Sequence, residues 1–200
     1  MISLRKELEP GNPADSYLAA DLIVLRIKMS QLYSDMINRL NGLRLNIVGA
    51  AADMLWISFG EQRTVADLRG KPKQVGEWAL HLQCPWRFVR GGEVILASSD
   101  CYYDAEGVEL LDFDSEATSM FKKNAKDLNA LLELSKVTVR LVLCSEAGAF
   151  ELLFDDLKLT VLPTESENIL DQEAWRLFQP STDSPHFVFP QRGEAEPVNP

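Results

Sequence analysis

Two histidines and three cysteines are the side chains of this 200-residue chain best suited to nucleophilic or acid–base work near neutral pH. They are His81, His186, Cys84, Cys101 and Cys144. His81 and Cys84 stand three apart on a segment that reads as a strand, so their side chains leave opposite faces and cannot form a dyad. Pairing of Cys84 or Cys101 with His186 needs a tertiary contact for which no local motif speaks. The plain alternatives are packing roles. His81 reads foremost as a half-buried strand residue hydrogen-bonded to a neighbour, and His186, which opens an aromatic strand after Pro185, foremost as a packing or capping residue. Joined to the tryptophan-rich segment beside Cys84, they define a candidate ligand pocket of His81, Cys84, Trp86, Arg87 and His186, with a histidine as its acid–base group.

Metal and phosphate chemistry lack their sequence signatures. Zinc wants three or four N/S ligands in paired spacing, and this chain has no CxxC. Asp112, Asp114 and Glu116 imitate the start of a calcium loop, but Ala117 stands where the loop needs Gly and Lys123 where it needs Glu. Arg69-Gly70-Lys71-Pro72 lacks the preceding glycine and the following hydroxyl of a P-loop, and neither GxGxxG nor GxSxG occurs. No cofactor is expected. Trp56, Trp78, Trp86 and Trp175 each sit among apolar neighbours on an expected strand, which suits core packing or a ligand groove.

Charge supplies a second candidate. Between Arg90 and Lys122 there is no Lys or Arg, while eight Asp and Glu fall there. Asp104, Glu106, Asp112, Asp114 and Glu116 form a candidate surface for a basic protein partner, against the simpler reading of a solvated acidic face. A net charge of −10 argues against nucleic acid as the partner, because phosphate binding wants a basic face.

These residues must be positioned by sheet. Leu18, Leu22, Leu25, Met29, Leu32, Met36 and Leu40 recur at helical steps between Asn12-Pro13 and Asn41-Gly42. They predict a helix over 13–40, about 28 residues and roughly 42 Å long. The period then changes to two. Hairpins are expected over 43–59 and 77–97, with 60–76 read as a loop holding at most a short strand near Thr64. A second helix is expected over 116–134, capped by Asp114 or Ser115, with Phe121, Ala125, Leu128 and Leu132 on one stripe. Strands follow at 137–144, 149–154, 157–162, 174–178 and 186–189. Leu45, Ile47, Leu80, Leu82, Val139, Leu141, Leu152 and Leu159 are expected to face inward.

The fold class is therefore α+β: an antiparallel sheet, curved or sandwich-like, with a long N-terminal helix and a second helix mid-chain. Residues 1–190 make one domain, and 191–200 a flexible tail. The 13–40 helix is either the seam of a homodimer or a cover lying across the sheet. No segment is apolar enough to span a membrane, no secretory leader is visible, and the scattered cysteines suit a reducing compartment. The expected location is cytoplasmic.

The segment Trp78-Ala79-Leu80-His81-Leu82-Gln83-Cys84-Pro85-Trp86-Arg87, with Trp175-Arg176-Leu177-Phe178 and His186-Phe187, resembles a family of uncharacterised bacterial proteins, a domain of unknown function. The resemblance spans roughly residues 43–190 and implies a bacterial cytosolic protein without bringing an activity. Small acidic α+β proteins of bacteria include immunity proteins that neutralise toxins, which is an analogy of kind. The missing motifs favour a non-enzymatic binding protein. The alternatives are a small-ligand binder or enzyme using a tryptophan-lined pocket, and a purely structural oligomer.

Overall fold

The sequence alternates period-two segments with short turns, and such segments bury one face each when two sheets close on one another. The computed structural model describes residues 31–66, 69–110, 119–145, 147–164, 173–190 and 196–198. Thirteen strands are present among them: Leu45–Ala51 (β1), Met54–Phe59 (β2), Arg63–Ala66 (β3), Pro72–Val75 (β4), Trp78–Leu82 (β5), Trp86–Arg90 (β6) and Glu93–Ala97 (β7) come first. Leu141–Cys144 (β8), Phe150–Leu153 (β9), Leu157–Val161 (β10), Glu173–Phe178 (β11), His186–Pro190 (β12) and Glu196–Val198 (β13) follow. β13 lies in the stretch expected to be a flexible tail and pairs with β12.

Two antiparallel sheets carry the fold. The first runs β1-β2-β5-β11-β12-β13 and the second β7-β6-β10-β9-β8. Trp78, Leu80 and Leu82 of β5 are buried with Leu55, Ile57, Phe59, Trp175 and Leu177 on the first sheet's inner face. Trp86, Phe88, Leu152, Phe150, Leu159 and Val161 answer from the second. Phe150 and Trp175 meet edge-on across the gap, ring centres 5.7 Å apart. The 77–89 segment is two strands in different sheets, because Gln83-Cys84-Pro85 turns the corner between them. Gln83 N–H donates to Ala174, and the Pro85 carbonyl accepts from Leu162.

Helices close the flanks. Of the helix expected over 13–40, residues 31–37 (α1) are helical and Asn38–Leu40 tighten into a 3₁₀ turn, while residues 13–30 lie outside the described residues. Tyr33, Met36, Ile37 and Leu40 are buried, and the Tyr33 ring packs on Phe189 and Trp175. The mid-chain helix is Met120–Leu134 (α2), capped by Ser119, whose hydroxyl accepts from the Lys122 N–H at 3.3 Å. Its stripe is the expected one: Phe121, Ala125, Leu128 and Leu132 are buried. Sheet dominates the described architecture, with helix confined to α1, α2 and short 3₁₀ turns. No helix among the described residues is long and apolar enough to cross a membrane.

Two inward assignments fail, each where the strand alternation is broken. A bulge between Leu45 and Ile47 turns Val48 inward and leaves Ile47 38% exposed. Val139 is buried where the chain pairs with Leu43, but by Leu141 it has changed partner to β9, and Leu141 is 47% exposed. The 60–76 segment, read as a loop, is the β3–β4 hairpin.

Candidate functional site

The β1–β2 hairpin and α2 enclose a cleft of about 800 Å³, within the size range of small-molecule pockets. The floor depends on a glycine in mid-strand. Gly49 pairs with Trp56, and a Cβ at Gly49 would lie 2.2 Å from the indole. The ring therefore occupies the space a Cβ would need beside the Gly49 backbone, an arrangement that selects glycine there. Phe121, Ala125 and Ala130 of α2 form one wall, and Leu110 and Cys101 the end. Lys126 and Glu133, two helical turns apart, supply charge along the rim.

Asn129 joins the two sides. Its amide oxygen accepts from the Val48 N–H and its amide nitrogen donates to the Val48 carbonyl, both at 2.9 Å. One side chain thus copies a strand neighbour and occupies the edge of β1, fixing α2 at hydrogen-bonding distance from the sheet. The cleft is consequently framed by a locked helix.

The cysteine in the cleft lining is not activated. Burial, then Asp100 and Asp53, push the Cys101 thiol up to about 11, so it stays protonated near neutral pH. Burial likewise raises Cys144, opposed by a hydrogen bond with Ser34.

The residues of the pocket expected from sequence are dispersed. His81 and His186 do come together, on the outer face of the first sheet. The His81 ring centre lies 4.8 Å from that of Phe178, and the His186 ring centre 4.5 Å from the same ring. Cys84 and Trp86 are buried in the core, where Trp86 meets Phe88 and Phe121 edge-on. Arg87 is exposed on the outer face of the second sheet, opposite Thr160. Two of the five converge, because β5 and β6 belong to different sheets.

The acidic stretch divides as well. The Asp104 carboxylate accepts from the Glu106 and Val108 N–H groups and holds its own loop, while Asp100 accepts from the Ala97 N–H and from the Asn124 amide of α2. Glu106 is exposed, and Asp112, Asp114 and Glu116 lie outside the described residues. Among the described residues, no group of three His, Cys, Asp or Glu is arranged to hold a metal ion.

Sequence reasoning noted Trp56 as aromatic but missed Gly49, Lys126 and Asn129 as parts of one site. The legible signal was Gly49 itself, a glycine interrupting a strand pattern. Comparisons with protein-family models, curated proteins and solved structures find no match.

Proposed function

We propose that this chain is a non-enzymatic binding protein of the bacterial cytoplasm whose ligand site is the cleft between α2 and the β1–β2 hairpin. Its ligand is a flat, mainly apolar small molecule that lies on the Trp56 indole, with a polar end at the rim between Lys126 and Glu133. The observation that carries this reading is the Gly49–Trp56 floor, since a flat indole face bordered by alanines and Phe121 suits a planar ligand. Protonated Cys101 and the absence of a histidine in the cleft lining favour binding over turnover.

A basic protein partner for the acidic stretch belongs to the proposal less directly. Glu106 and Glu109 remain exposed, while Asp104 serves its own loop and Asp100 accepts from Ala97 and Asn124. Homodimerisation through the N-terminal helix is a further part of this reading, resting on the helical spacing of its apolar residues.

The flat apolar dye phenylnaphthylamine tests the cleft. The folded protein should bind it with enhanced dye fluorescence, and Trp56→Ala should weaken binding about tenfold, the equivalent of losing one aromatic contact of about 1.4 kcal/mol. Unchanged dye affinity in Trp56→Ala, with circular dichroism intact, would place the ligand elsewhere.

A further inference from the structure

We propose a second site: the outer face of the first sheet binds a phosphoryl oxyanion between Arg176, His81, His186 and Lys73. Four strands bring these groups together. His81 of β5 pairs directly with Arg176 of β11. Phe178, two residues on, stands as a wedge between the imidazoles, its ring 4.8 Å from His81 at 85° and 4.5 Å from His186 at 30°. Lys73 lies on β4, near enough for its charge to act on His81, and the β3–β4 hairpin is tied down at its base. The Arg63 guanidinium donates to the Pro180 carbonyl in the β11–β12 loop. Gly76 presses against the sheet so closely that a Cβ would stand 2.3 Å from the Ser58 hydroxyl.

The electrostatics are one-sided for a protein of net charge −10. Burial, and then the charges of Arg176, His186 and Lys73, together lower the His81 pKa to about 4. His186 is lowered by burial and by Arg176, with Glu173 acting in the other direction. Glu173 is thus the one carboxylate among the described groups that these titrations register, and it is paired with a terminal nitrogen of Arg176. The Arg176 Nε is buried with no hydrogen-bond partner. A buried guanidinium donor left open next to two imidazoles and an ammonium calls for an acceptor with several oxygens and negative charge. A phosphoryl group supplies both, and its negative charge beside the imidazoles favours their protonated forms. Binding should therefore tighten as pH falls below neutral. No residue of this site lines the cleft, although His81 pairs directly with Trp56 of the cleft floor, so the two readings are tested by different substitutions and different probes.

The test follows the imidazole NMR signals of the full chain across pH in chloride, in inorganic phosphate and in acetate, at matched ionic strength. In phosphate the His81 midpoint should rise from about 4 by at least about one unit, with His186 moving in the same direction. Lys73→Gln, on the exposed hairpin, should reduce that rise, and Arg176→Gln should abolish it. Identical midpoints in phosphate and chloride would overturn the proposal. So would a rise that survives both substitutions, or an equal rise in acetate, which would mean that no phosphoryl group is selected. If Arg176→Gln fails to fold, the Lys73→Gln titration decides alone.

Discussion

Gly148, in the turn between β8 and β9, has φ +72°, and a Cβ there would lie 2.0 Å from the Phe189 ring. Its carbonyl also accepts the Trp175 indole N–H at 2.9 Å, so one residue serves the turn, the Phe189 contact and the tryptophan's polar atom. Gly148→Ala should lower stability by about 2–4 kcal/mol, the sum of left-handed strain and overpacking, read from urea unfolding followed by tryptophan fluorescence. An unchanged midpoint would show that Phe189 moves aside at no cost. His81 supplies a pH dependence of known sign. Folded, it titrates near 4, against 6.5 for an unhindered imidazole, so the unfolded chain holds the extra proton between these values. The stability its neutral form contributes is complete above about pH 6.5 and is lost as pH falls toward 4. In phosphate-free buffer, His81→Gln should flatten the fall in urea midpoint between about pH 7 and about pH 4.5, and equal slopes in both proteins would remove His81 from the account.

At the scale of elements, the edge of β1 is covered at its start by residues 137–139 and further on by α2 through one amide. Asn129→Ala leaves both Val48 backbone groups without their partner and should cost about 1–3 kcal/mol in denaturant unfolding. The same substitution should weaken phenylnaphthylamine binding, because the helix wall loses its register with Trp56. A variant that is destabilised but binds the dye normally would separate the edge cover from the cleft. The bulge at Leu45/Ile47 matters here too. It turns Ile47 out toward the cleft while Val48 fills the core, so a single extra residue divides β1 between stability and binding.

For the whole molecule, the two helices have unequal tasks. Ile37 and Leu40 are fully buried and Tyr33 lies on Trp175 and Phe189, so α1 and its 3₁₀ turn belong to the core. A chain beginning at Leu43 should therefore aggregate or unfold, whereas one beginning at Gln31 should keep its near-ultraviolet circular dichroism. Light scattering on the Gln31 form then tests the dimer: a fall from dimer to monomer mass with an intact fold assigns the seam to residues 13–30. Equal mass for the full and shortened chains would sink that assignment.

The sequence by itself determined the antiparallel sheet within the expected α+β class, most turns, the α2 stripe and the inward faces of β5, β9 and β10, because each follows from local periodicity and from the conformational limits of Gly and Pro. Trp78, Leu80 and Leu82 had to share a face wherever β5 came to lie. Only the tertiary structure decided which elements are neighbours. It sent Cys84 and Trp86 around the Pro85 corner into the core, put Arg87 on the far face, and brought His186 to His81 across Phe178. It also exposed Ile47 and Leu141, whose alternation is broken by a bulge and by a change of partner strand. Pairing between strands a hundred residues apart is set by the burial of the whole core at once, and no local pattern of residues encodes that sum.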